Sequence, residues 1–326
     1  MDRHRINRRS LIAFGLVTGA GFAARRASAQ SEATPSPAPA LTPLPEATPR
    51  VGNPVSVVTT TPLLADLARQ VGGSRDKASS ILPADADPHE FEPSPQDIVR
   101  ASDADLIVEH GLHLDDWAKE LLANADAKAP VLVATTNVPT IKGDASEGFD
   151  QGDPHVWFDP RNVAIMTANI AQALARVDPD GAGTYSARQA AYASQLNALD
   201  AWIAAQIDTI PPARRKLVTN HDAFGYFVAR YNMGFVGAVI PSLDSRAEPS
   251  AQETAALIDK IKQEGVPAIF TESTINPKLE QELGKQAGVK VIPDLYSDNL
   301  GPAGSGADSY IGMMETDVNI IVSALR

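Results

Sequence analysis

Three histidines stand where coordination chemistry could use them. His89 lies in Asp87-Pro88-His89-Glu90-Phe91-Glu92-Pro93, His155 in Asp153-Pro154-His155-Val156-Trp157-Phe158-Asp159-Pro160, and His221 in Asn220-His221-Asp222-Ala223-Phe224. Histidine is scarce, with six copies in the chain, and cysteine is absent. The lack of cysteine excludes disulfides, thiolate metal sites, thiol catalysis and a lipid anchored on cysteine. Any metal must be held by nitrogen and oxygen, a donor set that imidazole and carboxylate supply. Each residue also has a plainer reading. A lone histidine beside a helix start is more often a cap or a core residue, and a loop aspartate such as Asp298 is usually a solvated turn residue.

The elements that would position these side chains read as alternating strands and helices. Val55–Thr59, Ala78–Leu82, Leu106–Val108 and Val131–Ala134 have strand character. Helical patterns at Leu63–Val71, Pro95–Ala101 and Asp115–Ala123 lie between them. The alternation resumes near residue 215, with strands at Leu217–Thr219, Val236–Val239, Ala268–Phe270 and Val289–Ile292. Helices there are expected at Phe224–Tyr231, Ala251–Glu264, Pro277–Ala287 and about Ser309–Leu325. Such alternation predicts parallel sheets flanked by helices. Between the halves, Val163–Val177 is amphipathic. A longer stretch from about Thr184 to Ile207 carries Tyr185, Tyr192, Leu196, Leu199, Trp202 and Ile203 at helical spacing. The expected fold class is therefore α/β: two doubly wound lobes joined by a long rigid helix, with the ligand site in the cleft between them. The expected boundaries are 54–183 for the first lobe, 184–209 for the linking helix and 210–326 for the second lobe.

In open parallel sheets, ligands bind beyond the carboxyl ends of the strands. His89 follows the second expected strand, His221 follows Leu217–Thr219, and Asp298 follows Val289–Ile292. His155, on the loop entering the helix at Val163, can face the same cleft.

The first 29 residues read as an export signal. Arg3, Arg5, Arg8 and Arg9 precede an apolar run from Leu11 to Ala24, and Ala27-Ser28-Ala29 forms a small-x-small cleavage site. Arg8-Arg9-Ser10-Leu11-Ile12 resembles a twin-arginine signal, with general secretion as the other route. Residues 30–53, dominated by Pro, Ala, Thr and Ser, read as a semi-extended tether. The net charge of the whole chain is −12. The signal holds six arginines and one aspartate, so the remainder is more acidic still. Such a body repels phosphate backbones, which argues against nucleic acid as a partner.

The stretches around His89, His155 and His221 resemble signature segments of the zinc/manganese-binding solute receptors of ABC transporters. Glu248-Pro249-Ser250, Ile269-Phe270-Thr271-Glu272-Ser273 and Tyr296-Ser297-Asp298 follow in the family's order, so the resemblance covers about residues 54–326. It implies that His89 and His155 are ligands from the first lobe and His221 and Asp298 ligands from the second. Glu272, ending a strand near the site, is expected to orient a histidine, or to replace Asp298 as a ligand. His110 and His113 match a variable segment that does not bind the central metal. Residues Ile141–Gly152 form a short acidic loop without histidine, where many zinc-specific members carry a long His-rich one.

The resemblance implies an extracytoplasmic receptor, in the periplasm or at the outer face of the cell membrane. It would capture one divalent ion and pass it to a permease. The ATPase and permease must be separate chains, because this one has neither a phosphate-binding G-x-x-x-x-G-K-[ST] loop nor a series of membrane spans. The receptor is expected to be a monomer. Three imidazoles and one carboxylate favour Zn(II) slightly over Mn(II). The competing classes are a zinc-dependent metallohydrolase and a surface adhesin. Against the hydrolase, His89-Glu90 lacks the second histidine of H-E-x-x-H, and four protein ligands leave no open position.

Overall fold

The computed structural model describes residues 38–39, 41–84, 86–273 and 276–326. The expected export signal lies outside the described residues. In the first lobe, β1 (Val55–Thr59), β2 (Asp76–Ser80), β3 (Leu106–Glu109) and β4 (Val131–Val133) form one parallel sheet in the order β2-β1-β3-β4. Its helices are α1 (Pro62–Gly72), α2 (Pro95–Ser102), α3 (Trp117–Asn124) and α4 (Pro160–Val177). In the second lobe, β5 (Lys216–His221) pairs in parallel with β6 (Gly234–Ile240), and β7 (Ala268–Glu272) with β8 (Lys290–Leu295). Because β5 lies beside β7, the spatial order β6-β5-β7-β8 repeats the layout of the first lobe. Helices α6 (Gly225–Tyr231), α7 (Ala251–Glu264), α8 (Lys278–Ala287) and α9 (Tyr310–Leu325) complete it.

Local sequence explains most helix starts. Thr61 caps α1 ahead of Pro62, and Asp159 caps α4 ahead of Pro160. Ser94 with Asp97, and Ser250 with Glu253, form reciprocal capping boxes at α2 and α7.

Helix α5 (Ala182–Asp208) joins the lobes. At 1.5 Å per residue it is about 40 Å long. Tyr185, Tyr192, Leu196, Leu199, Ile203 and Ile207 are buried along it. One apolar core runs through both lobes, holding Val57, Leu64 and Trp157 from the first and Leu217, Phe270 and Tyr310 from the second, with the buried face of α5 between. Among the described residues no helix is long and apolar enough to cross a membrane.

Two local expectations shift. Strand β2 lies two residues earlier than the apolar pair Ile81-Leu82 implies. Those side chains are buried in the turn that follows, with Ile81 N–H bonded to Thr59 O and Leu82 N–H to Thr60 O. As an edge strand β2 buries only one face, so its own residues carry little apolar signal. The second shift concerns the Pro-rich segment, whose described part is not a free tether. It has no helix or strand, yet Leu41 and Leu44 pack against the core. Gln195 Nε2 donates to Thr42 O (2.6 Å), Ser74 Oγ to Ala47 O (2.8 Å) and Arg75 Nη1 to Thr48 O (3.0 Å). A chain poor in N–H donors still offers every carbonyl as an acceptor, and side chains of α5 and of the turn before β2 take them.

Candidate metal centre

His221 is the last residue of β5 and Glu272 the last of β7, so both face the carboxyl end of the second-lobe strands. Asp298 follows three residues beyond β8. His89 sits in the connection from β2 to α2, and His155 opens the short helical turn before α4. The four side chains His89, His155, His221 and Asp298 converge, with one donor atom from each lying within 4.8 Å of all the others.

The separations fit a small cation. His155 Nε2 and His221 Nε2 are 3.3 Å apart. His221 Nε2 is 3.4 Å from Asp298 Oδ2, and His155 Nε2 is 3.6 Å from Asp298 Oδ1. His89 Nε2 is 3.9 Å from Asp298 Oδ2. Metal–ligand bonds of about 2.0–2.1 Å in a tetrahedron put neighbouring donors about 3.4 Å apart. Three of the donors are thus already near that spacing, and His89 stands slightly outside it.

The polar accounting points the same way. His89 Nε2 and both oxygens of Asp298 are buried without a hydrogen-bond partner. Buried polar groups are nearly always paired, so three orphaned atoms aimed at one point mark a place for a ligand.

The outward-facing atoms of the imidazoles are held. His221 Nδ1 lies 2.9 Å from both Glu272 oxygens, and Ser297 Oγ donates to Glu272 Oε2 at 2.6 Å. His155 Nδ1 lies 2.7 Å from Asp153 Oδ1. A carboxylate can only accept, so each Nδ1 carries the hydrogen and each Nε2 is left to face the cavity.

A repeated local device sets the two first-lobe histidines. In each Asp-Pro-His tripeptide the aspartate accepts the histidine N–H: His89 N to Asp87 Oδ1 at 2.8 Å, and His155 N to Asp153 Oδ1 at 2.9 Å. Asp298 is fixed through its neighbours, both tied to the first lobe. Trp157 Nε1 donates to Ser297 O (2.9 Å), and Asn299 Nδ2 donates to Ala86 O.

Burial drives the protonation behaviour. It pulls the His155 imidazole well below its ordinary value, and the His221 charge adds to this. His89 is pulled down to about 3 by burial, then by His155 and His221. Burial opposes the charge on His221 too, but Glu272 and Asp298 outweigh it and push that group up to about 10. Burial raises Asp298 well above the carboxylate range against the pull of His221, and raises Asp153 to about 7. Glu272 is lowered: burial raises it, and the charge and hydrogen bond of His221 reverse that. Without a metal, this pocket therefore holds protons where a cation would otherwise sit.

The other two histidines among the described residues lie elsewhere. His110 is buried with Nε2 2.8 Å from Pro154 O, and His113 lies nearer the surface between Asp116 (2.9 Å) and Asp150 (3.0 Å). Sequence reasoning missed Asp153, Asp87 and Ser297. The recurring Asp-Pro-His was the available signal for the first two; nothing local marked Ser297.

Residues 57–324 match the family model described as "Zinc-uptake complex component A periplasmic" (ZnuA). The chain belongs to this family. Its relatives include the "Manganese-binding lipoprotein MntA" of Halalkalibacterium halodurans, 35% identical over 274 residues, which span 84% of this chain and 89% of the relative. Another is the "Manganese ABC transporter substrate-binding lipoprotein PsaA" of Streptococcus pneumoniae, 30% identical over 278 residues, or 83% of this chain and 89% of the relative. Among solved structures, the "periplasmic zinc binding protein TroA" from Treponema pallidum is similar, with a TM-score of 0.78 and 30% identity. That likeness covers 84% of this chain and 99% of that one. Within this family the two-lobe α/β architecture is shared, and here the converging side chains come evenly from the two lobes.

Proposed function

We propose that this chain is an extracytoplasmic receptor that captures one divalent transition-metal ion and hands it to an ABC permease. The ion is cargo, held by His89, His155, His221 and Asp298, with Glu272 and Asp153 orienting His221 and His155. The observation that carries this reading is the convergence of those four buried residues with both Asp298 oxygens and His89 Nε2 left unpaired. The names of the relatives support it, since each is a metal-binding or substrate-binding protein. A receptor of this kind works with separate permease and ATPase chains, and we read it as a monomer.

The donor set accepts both Zn(II) and Mn(II), and the Irving–Williams order makes zinc the tighter. Both Asp298 oxygens are free to bind, and a bidentate carboxylate supplies the fifth donor that manganese takes up more readily than zinc. Four protein ligands close the site against a metal-bound water, which favours carriage over hydrolysis.

The test is metal uptake by the purified protein, followed by zinc–manganese competition and melting curves. The reading predicts one ion per chain and displacement of Mn(II) by Zn(II). At 100 times the dissociation constant, about 2.7 kcal/mol of added stability is also expected. A chain that takes up neither ion, or melts at the same temperature with and without them, refutes it.

A further inference from the structure

A cavity of about 790 Å³ opens at the mouth of the cleft. Of the four converging residues His89 alone lines it, together with Glu90, Glu92, Asp116, Glu147 and Asp244. His89 is also the donor that stands outside the tetrahedral spacing, and Phe149 meets its ring edge-on at 6.3 Å between centroids. The cavity is thus an antechamber on the His89 side of the buried site, and its lining mixes these carboxylates with Arg246, which pairs with Asp244.

At this mouth the second-lobe segment after β6 is held by two carboxylates of the first lobe. Glu147 Oε2 accepts from Ser242 Oγ (2.9 Å) and from Leu243 N–H (3.2 Å). Asp87 Oδ2 accepts from Ser245 Oγ (2.7 Å), while its other oxygen accepts the His89 N–H (2.8 Å). One carboxylate therefore grips both the closing segment and the backbone of the outermost histidine.

We propose that this antechamber is the ion's way in and out, and that Glu147 and Asp87 are positioning residues that latch segment 242–245 across it and so set the rate of metal release. This rests on the reading of the site as a metal receptor. Because these contacts bridge the two lobes beside the site, weakening them speeds release and leaves capture nearly unchanged, as interface changes mostly act on dissociation. Glu147 is not among the four converging residues, so its effect is expected in the dissociation rate and not in the stoichiometry.

The test loads the full chain with Zn(II) and follows release into excess chelator by stopped flow, with association measured separately. Glu147→Ala should release zinc about tenfold faster, since it loses two charge-assisted hydrogen bonds, with association within about twofold of wild type. Glu147→Gln keeps an acceptor oxygen and should recover most of the slow release. Ser242→Ala and Ser245→Ala delete only a hydroxyl each. They should speed release in the same direction by about threefold to fivefold, which keeps the test decisive if Glu147→Ala folds poorly. Wild-type release rates in both serine variants overturn the latch. Failure of the wild-type chain to take up zinc at all is a different result, and it overturns the receptor reading instead.

Discussion

The Nε2 atoms of His155 and His221, one from each lobe, lie 3.3 Å apart in a fully buried pocket. Two imidazole lone pairs can face each other so closely only with a proton or a cation between them. With each Nδ1 tied to a carboxylate, the proton of the metal-free protein sits on the His221 side, where the Glu272 carboxylate stabilises it. Capture of an ion must expel it.

This fixes a pH dependence. The His221 value is raised to about 10, so the metal-free site is protonated throughout the neutral range. Lowering the pH adds competition from protons, and raising it removes that competition. Between pH 6 and 8 the apparent affinity should climb about tenfold per pH unit, with at least one proton released per ion. Titration calorimetry in buffers of different ionisation enthalpy measures this directly; binding without proton release contradicts the assignment.

Replacing His155 by Ala removes one of the two fully buried imidazoles of the proposed shell and leaves three donors that cannot complete it. Affinity for Zn(II) should fall by more than about 100-fold, exceeding the loss typical of residues that only support a ligand. Competition against a chromogenic chelator reads the change, and circular dichroism should show the fold unaltered.

Glu272→Gln isolates the supporting role. The amide oxygen can still accept from His221 Nδ1 but carries no charge, so the imidazole becomes a weaker donor. A loss of about 10- to 100-fold is expected, together with a downward shift of the pH profile, because Glu272 no longer holds the proton on His221. An unchanged profile would mean that Glu272 has no part in orienting the histidine.

Stability has a separate handle at Asp76, whose buried carboxylate has neither oxygen hydrogen-bonded and is pushed up to about 7 by burial. A carboxyl raised in the folded state supports folding fully below its unfolded value of about 4. That support drains away as the pH climbs to 7. Asp76→Asn mimics the neutral acid, so it should raise the melting temperature by about 3 °C at pH 8 and hardly at all at pH 4. Equal gains at both pH values would contradict this account of the site.

Much of this was legible from the sequence because the relevant signals are local. Strand–helix alternation located the elements of both lobes, and β1 and α7 fall on the ranges expected from it. The histidines were conspicuous through scarcity and through their places after strands. Less legible was whatever depends on contacts distant in sequence. Strand β2 was displaced because edge strands carry half the apolar signal. The docking of residues 41–50 rests on Gln195, Arg75 and Ser74, far along the chain, and nothing in a proline-rich stretch announces it. The Ser245–Asp87 and Ser242–Glu147 contacts cross between lobes, 158 and 95 residues apart, beyond any periodic pattern.

The central claim is that four named side chains hold one ion between the lobes. The most direct test is a crystal structure of the zinc-loaded protein with anomalous diffraction recorded at the metal edge. The account predicts one strong peak about 2.0–2.2 Å from Nε2 of His89, His155 and His221 and from the Asp298 carboxylate. A peak elsewhere, such as beside His113 and Asp116, or no ordered ion in a loaded crystal, would contradict it.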